Sequence, residues 1–201
     1  MKNKIIVFDL DQTLGFFDQI VYIINQTRME QYAPLFELFP EIFRPQLFEL
    51  LHSLALLKKN KRLKGIVLYT NNRNEDFVQQ VIQYIHKKLG CSLFDPVLTY
   101  HSVERTSHEK SYQDLFSCVH DGTTHVFCFV DDKYHERMNH VDIYYIHSEA
   151  YQYVLEEKEV NKRIQKTIPV FKYRKRNLPM KIHKRVTEYI ASKLKEFMGR
   201  N

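Results

Sequence analysis

The sequence contains little cysteine and no long hydrophobic run. Its three cysteines, Cys91, Cys118 and Cys128, form no C-x-x-C pair and are odd in number, which argues against a disulfide scaffold and favours free thiols in a reducing compartment. The longest nearly apolar stretch, residues 47–57, is far shorter than the roughly 20 residues that a membrane-spanning helix needs. We therefore predict an intracellular protein, cytoplasmic or nuclear, that has no membrane span.

Glycine is also scarce. The five glycines are scattered along the chain, and no internal repeat or low-complexity segment is visible. The hydrophobic and charged contents, 44% and 27%, are those of an ordinary globular protein, and 201 residues suffice for one domain with a substantial core.

Acidic side chains are almost absent from one segment. Residues 158–201 contain 14 Lys and Arg but only three Asp and Glu, so their net charge is +11, whereas residues 1–157 have a net charge of −5. Such a segment favours a polyanionic partner, such as nucleic acid, an anionic membrane surface or an acidic protein, although a solvated basic helix explains it equally well. Aromatic and basic residues alternate over 171–176, which indicates either a stacking surface for bases or a plain basic linker.

The most informative pattern lies in residues 4–15. Ile5 to Phe8 form a short apolar run rich in β-branched residues, which is typical of a strand buried on both faces of a parallel sheet. This run stops at Asp9 and Asp11, after which Thr13 and Gly15 turn the chain away. Because ligands of open α/β sheets bind at the carboxyl ends of strands, both carboxylates are expected to face one crevice. A calcium-type or merely solvated acidic turn is the alternative interpretation.

Apolar runs alternate with segments of helical periodicity along the rest of the chain. These patterns predict further strands at 66–69, 97–100, 126–130 and 143–146, and helices at 18–32, 45–57, 72–89, 111–120, 134–139, 148–166 and 180–198. Asn72 with Glu75, and Ser111 with Asp114, form capping signatures at the starts of two of these helices. The alternation predicts an α/β fold with a five-stranded, mostly parallel sheet and helices on both faces.

Complementary polar groups follow three of these strands. Asp9 and Asp11 follow the first, Thr70 follows the second, and Asp131 and Asp132 follow the fourth. Hydrolysis of a phosphate monoester through a covalent step needs a carboxylate nucleophile, a hard divalent cation, a donor that orients the phosphoryl oxygens and a cation that balances charge.

Three basic residues are candidates for the charge-balancing group. We favour Lys110, because it stands at the start of a capped helix whose positive end also favours an anion. Lys133, next to the paired acids, and Arg105 are the alternatives.

The pattern Asp-x-Asp-x-Thr after a hydrophobic strand resembles motif I of the haloacid dehalogenase superfamily, most of whose members are Mg²⁺-dependent phosphatases that use an aspartyl-phosphate intermediate. Thr70, Lys110 and the Asp131-Asp132 pair match the other three motifs in order, so the resemblance covers residues 4–147. It implies a Rossmann-like core of this superfamily at residues 1–167. Residues 15–43 would form a small helical flap, and residues 168–201 a basic linker with a C-terminal helix.

The resemblance also implies a role for each matching residue. Asp9 would be the nucleophile and a Mg²⁺ ligand, and Asp11 would be the general acid and base that also lends its backbone carbonyl to the metal. Thr70 would hold the transferring phosphoryl group and Lys110 would reduce repulsion between anions. Asp132 would bind the metal with support from Asp131, and we expect Asn71 and Lys133 to bind substrate.

Local similarity within the superfamily is greatest to the small phosphatases of the RNA polymerase II carboxy-terminal domain. Their motif I reads Asp-Leu-Asp-Glu-Thr-Leu, against Asp-Leu-Asp-Gln-Thr-Leu here, and Phe43-Arg44-Pro45 resembles the Arg-Pro step before their leucine-rich helix. Residues 15–43 and 73–109 leave no room for a separate cap domain. An oligomer partner or the terminal helix could still cover the site.

A minimal cap implies a phosphorylated macromolecule as substrate. We therefore predict a Mg²⁺-dependent phosphomonoester hydrolase that acts on phosphoserine or phosphothreonine in a protein. The alternatives are a phosphatase for nucleotides or nucleic-acid ends, which would suit the basic segment, and a nonenzymatic binding module that uses the same fold.

Overall fold

The computed structural model describes residues 2–169, 171–173 and 177–200. Five parallel strands form one sheet in the order β3-β2-β1-β4-β5, and their ranges are β1 Asn3–Phe8, β2 Gly65–Tyr69, β3 Val97–Leu98, β4 His125–Asp131 and β5 Ile143–His147. The predicted α/β class and the five-stranded Rossmann-like sheet are confirmed, and every strand pair is parallel.

The central strand β1 is buried on both faces, as its sequence predicted. Ile6 and Phe8 point into the larger of two apolar cores, whereas Ile5 and Val7 point into the smaller core on the other face. All four side chains are buried. Burial of each such side chain contributes roughly 1.5–3 kcal/mol, so this strand is a strong anchor for the residues that follow it.

Helices cover both faces of the sheet. The described helices are α1 Asp18–Thr27, α2 Ala33–Leu38, α3 Leu47–Lys59, α4 Glu75–Leu89, α5 Tyr112–Val119, α6 Glu157–Ile164 and α7 Met180–Gly199. The smaller core packs against α5 through Leu115, and the other six helices contribute side chains to the larger core. The terminal helix α7 buries Ile190, Leu194 and Phe197 in that larger core.

The flap at residues 15–43 is closed at its base and packed onto the sheet layer. Phe16 N donates to Ile42 O at 2.7 Å, and Arg44 N donates to Leu14 O at 2.9 Å, so both ends of the segment meet. Gly15 makes this approach feasible, because a Cβ at that position would lie only 2.7 Å from the Ile42 carbonyl oxygen.

Several predicted helices are shorter than expected. The predicted helix over 148–166 is wrong for its first half, because α6 covers only Glu157–Ile164. The segment before α6 is not helical, because contacts with distant residues hold it: Tyr151 is buried, and its backbone N–H donates to Gln12 O at 2.7 Å. The predicted helix over 134–139 is a single 3₁₀ turn at Glu136–Met138.

The chain between the first strand and α3 also differs from the prediction. The predicted helix over 18–32 ends at Thr27, where Arg28 adopts a left-handed conformation with φ of 57°. A separate helix, α2, and a 3₁₀ turn at Pro40–Ile42 follow. Within the described part of the chain, no helix combines the length and hydropathy that crossing a bilayer requires.

Candidate active site

The polar strand ends meet at the carboxyl edge of the sheet because of the strand register. Phe8 of β1 pairs with Val130 of β4 on one side and with Leu68 of β2 on the other. Asp9, Thr70 and Asp131 therefore lie at the carboxyl ends of three adjacent strands. Asp9 N donates to Val130 O at 3.0 Å, and Thr70 N donates to Leu98 O at 2.9 Å.

A buried lysine joins two of the predicted acids. The ammonium of Lys110 donates to Asp9 Oδ1 at 2.5 Å and to Asp131 Oδ2 at 2.7 Å. Lys110 is only 1% exposed, and both carboxylates are buried with it. An ion pair that is shielded from water is screened far less than a surface pair. One ammonium thus faces two carboxylates, which leaves the local charge negative.

Asp132 adds a third carboxylate to this group. Asp9, Asp131 and Asp132 each offer one oxygen, and these three atoms all lie within 4.8 Å of one another. Mg²⁺ prefers oxygen ligands and binds through one or two carboxylates together with waters and substrate phosphate. The donor set and the excess negative charge therefore fit Mg²⁺, and these three residues are the ones that could hold such an ion.

The carboxylate of Asp11 lies outside that group. Asp11 Oδ2 instead accepts a hydrogen bond from Asn72 Nδ2 at 2.9 Å. Burial raises the pKa of Asp11, although the Asn72 hydrogen bond opposes this shift. A carboxyl group that retains its proton more readily suits a general acid. The expected contact between the Asp11 backbone carbonyl and the metal stays a prediction.

Burial and neighbouring charges act in opposite directions on the groups that surround Lys110. Burial raises the pKa of Asp9 even though the adjacent ammonium lowers it. Burial also disfavours the charged form of Asp131, but Lys110 and His135 lower its pKa below the ordinary value. Burial lowers the pKa of Lys110, but the two carboxylates outweigh this effect and raise it. Lys110 therefore stays protonated.

Thr70 and Asn71 lie at the end of β2. Thr70 is fully buried, and its Oγ1 accepts a hydrogen bond from Asn72 N at 3.1 Å, so its hydroxyl hydrogen can turn towards another acceptor. Asn71 is exposed, and its Oδ1 accepts from Arg105 Nη2 at 2.9 Å. Among the described residues, Arg105 contacts the end of β2 and lies 3.7 Å from the Asp114 carboxylate, and its hydrogen bonds do not include Asp9 or Asp11.

The three candidates for the charge-balancing role, Lys110, Lys133 and Arg105, lie at different positions relative to Asp9. Among the ion pairs of residues 2–169, Lys110 is the basic residue that contacts Asp9. Lys133 is exposed, and it reaches the acids through its backbone N–H, which donates to Asp131 Oδ1 at 2.8 Å.

Two residues at the site were missed as functional groups. Asn72 was expected to cap α4, but the cap is Asn74, whose side chain accepts from Phe77 N at 3.0 Å. Asn72 instead orients Asp11, and its position directly after the second strand was the available signal. Thr13 was assigned only to a turn, but its Oγ1 accepts from Asp132 N at 3.1 Å and donates to Asp132 Oδ1 at 3.3 Å.

Arg44 supports the loop that carries the acids. It is buried, and its guanidinium donates to Thr13 O at 2.6 Å, to Gln12 O at 2.9 Å and to Glu149 O at 2.8 Å. Arg44 thereby ties the turn after Asp11 to the segment that follows β5. From the sequence, Arg44 was noted only as part of the Phe43-Arg44-Pro45 motif, and no role was predicted for it.

The capping prediction for α5, the helix that follows Lys110, is confirmed, and its contribution to stability can be measured. Ser111 Oγ accepts from Asp114 N at 3.2 Å at the start of α5. We expect Ser111→Ala to lower the free energy of unfolding by about 1 kcal/mol, because a helix N–H loses its partner. Urea denaturation measures this change. Ser53→Ala, which removes an exposed hydroxyl inside α3, is the control, and an equal loss in both variants would contradict the capping role.

Comparison of the chain with protein-family models, with curated proteins and with solved structures gave no match. Membership of the haloacid dehalogenase superfamily therefore stays a prediction from the four motifs.

Proposed function

We propose that this protein is a Mg²⁺-dependent phosphomonoester hydrolase that acts through an aspartyl-phosphate intermediate on Asp9. One observation carries the proposal: the buried ammonium of Lys110 bridges Asp9 and Asp131 beside a third carboxylate, Asp132. A binding scaffold gains nothing from several acids held together around one lysine. Burial of several carboxylates around one ammonium costs free energy, and a bound divalent cation would offset that cost.

The proposed reaction assigns one bond change to each carboxyl group. An oxygen of Asp9 attacks phosphorus while the bond between phosphorus and the leaving oxygen breaks, and Asp11 donates its proton to that oxygen. Asp11 then removes a proton from water, which attacks the phosphorus of the intermediate. This second step releases inorganic phosphate and restores the Asp9 carboxylate.

The other residues position these groups and offset charge. Lys110 holds one oxygen of Asp9 and reduces the repulsion between that carboxylate and the phosphate. Asn72 fixes the Asp11 carboxyl through its 2.9 Å hydrogen bond, and the Thr70 hydroxyl is available to a phosphoryl oxygen. When bound by Asp9, Asp131 and Asp132, Mg²⁺ would supply further charge stabilisation.

A phosphorylated protein segment is the substrate that the surrounding chain favours. Between β2 and α5 the described chain contains only α4 and the two-residue strand β3, so no inserted domain stands there. The flap is packed inward through aromatic contacts, with ring centroids 5.4 Å apart for Phe17 and Phe77 and 5.1 Å apart for Phe36 and Tyr84. The carboxyl edge thus carries no inserted cap domain between β2 and α5, which favours phosphoserine or phosphothreonine in a protein as the substrate.

One observation favours the second candidate, a phosphatase for nucleotides or nucleic-acid ends. Arg73 lies 4.4 Å over the ring of Tyr100, and the Tyr100 and His108 rings are parallel within 4°. Arg73 and His108 are exposed and Tyr100 is half-buried, and the stack, which begins three residues beyond Thr70, offers a flat surface for a base. The choice between the two substrates is therefore an experimental one.

A chromogenic phosphate ester tests the reaction, and a substrate panel tests the specificity. We expect turnover with Mg²⁺, loss of turnover with EDTA and recovery when excess Mg²⁺ is added. We also expect a higher kcat/KM for phosphoserine and phosphothreonine peptides than for 5′- or 3′-phosphorylated oligonucleotides. A preference for the oligonucleotides would support the second candidate. No turnover of any ester would overturn the proposal and favour a nonenzymatic binding module.

A further inference from the structure

A second charged region lies at the opposite edge of the sheet. The segment 58–64, which consists of the last two residues of α3 and the loop that leads to β2, contains five basic residues and no acidic residue. It is fixed to the start of β1, because Lys64 N donates to Lys4 O at 2.8 Å and Leu63 is buried. The loop precedes β2, so it stands at the amino-terminal edge, whereas Asp9 stands at the carboxyl edge.

This loop forms one side of an open depression of about 650 Å³, which we call the basic depression. Among the described residues, its lining includes six cationic side chains and no acidic residue; the cations are Lys2, Lys4, Lys58, Lys61, Arg62 and Lys64. Met198, at the carboxyl end of α7, contributes to the wall.

Nearby acids neutralise only part of this charge. Lys2 pairs with Asp142 at 2.7 Å, and Lys64 pairs with Asp121 at 3.0 Å. Lys4 and Lys58 donate to backbone carbonyls, which carry no net charge. Lys61 and Arg62 are exposed and belong to none of the ion pairs of the described residues. Four of the six positive charges thus lack an acidic partner there.

The chemistry of the lining distinguishes between anionic partners. Five of the six cations are lysines, whose compact charges suit phosphate oxygens better than the edges of bases. Of the lining residues that the structure describes, two are apolar: Leu63, which is buried, and Met198, which is half-buried. The described part of the wall therefore contains no aromatic ring for stacking, and its single half-exposed apolar side chain, Met198, is too little for membrane insertion or for the apolar centre of a protein interface.

We propose that the basic depression binds the phosphate backbone of a nucleic acid without reading its sequence. This contact is independent of the proposed phosphatase reaction, because the depression and the carboxylates lie at opposite edges of the sheet. It also shifts the expected polyanion contact from the basic segment 158–201 to the α3–β2 loop and the start of β1. Within the alternating stretch 171–176, residues 174–176 lie outside the described residues.

Binding of a fluorescently labelled 20-base-pair DNA duplex tests the proposal by anisotropy. With four unneutralised cations, affinity is expected to fall about a hundredfold between 50 mM and 200 mM salt, because bound phosphates release counterions. A second duplex of unrelated sequence is expected to bind equally well. Absence of binding at 50 mM salt, or a large difference between the duplexes, would overturn the proposal.

A pair of charge-matched double variants locates the contact. Lys61→Gln with Arg62→Gln removes two exposed cations of the depression, and we expect at least about a tenfold loss of affinity with a salt slope reduced by about two. Lys184→Gln with Arg185→Gln removes two exposed cations from α7 and is expected to bind as the unmodified chain does. Equal losses in the two variants would show that net charge, and not the depression, governs binding.

Two competitors and one activity control complete the test. Vesicles of phosphatidylcholine with phosphatidylserine, and polyglutamate, are expected to compete more weakly than unlabelled duplex. Stronger competition by either would assign the depression to a membrane or an acidic protein instead. Both double variants are expected to retain their thermal midpoints and their turnover of the chromogenic ester, so a loss of DNA binding is not a loss of folding or of the carboxyl-edge site.

Discussion

Replacing Asp9 with asparagine is expected to lower kcat for phosphate ester hydrolysis by at least about a thousandfold, because the reaction loses its nucleophile. An asparagine side chain has nearly the same shape but no charge, so it neither attacks phosphorus effectively nor contributes a carboxylate to the metal site. Lys110 keeps its contact with Asp131 at 2.7 Å, which leaves the buried ammonium paired. The fold is therefore expected to survive the change.

Steady-state kinetics with the chromogenic ester and Mg²⁺ measure this effect, and thermal unfolding checks that the variant is folded. Asp142→Asn is the matched control, since that carboxylate pairs with Lys2 beside the amino-terminal end of β5. We expect the control to retain its activity. A folded Asp9→Asn protein with more than a tenth of the original kcat would reject Asp9 as the nucleophile.

Replacing Lys110 with methionine is expected to impair both stability and catalysis. The side chain is almost fully buried between two carboxylates, and removal of one partner from a buried ion pair costs about 3–5 kcal/mol. Asp9 and Asp131 would then repel each other without an intervening ammonium. We expect kcat to fall by roughly two or three powers of ten, because the anionic substrate approaches an uncompensated carboxylate.

Denaturant unfolding with and without Mg²⁺ separates these effects. Because a divalent cation restores positive charge beside Asp9, Asp131 and Asp132, Mg²⁺ is expected to stabilise Lys110→Met more than it stabilises the unmodified chain. Lys59→Met, an exposed change at the end of α3, is the control. Lys133→Met tests the alternative assignment: a larger loss of kcat there than in Lys110→Met would transfer the charge-balancing role to Lys133.

The sequence was most informative where local composition and local burial coincide. Ile5 to Phe8 are apolar without interruption, and they occupy the central strand of the sheet with both faces covered. Ser111 was predicted to cap a helix, because a serine hydroxyl can accept a hydrogen bond from the backbone N–H three residues later without any distant partner. The structure shows this hydrogen bond. Interactions of this range are encoded within a few neighbouring residues.

Predictions that depended on distant contacts were less successful. Residues 148–156 carry no strong signal against a helix, yet Tyr151 is drawn into the core and hydrogen-bonds to Gln12. Asparagine is a residue type that often caps helices, but the side-chain amide of Asn72 donates a hydrogen bond to the carboxylate of Asp11 instead. The residue that caps α4 is Asn74. In both cases a tertiary partner competed successfully with the local preference.

The sequence by itself determined the strands, the α/β alternation and the kinds of chemical group at the strand ends, because these follow from local periodicity and from the side chains themselves. Only the tertiary structure decided that β1 lies between β2 and β4, and hence that Asp9 and Asp131 are neighbours at the carboxyl edge of the sheet. Lys110 reaches Asp9 across 101 residues of sequence for the same reason. The pairing of distant strands depends on how the whole chain buries its apolar surface, and no local pattern specifies that pairing.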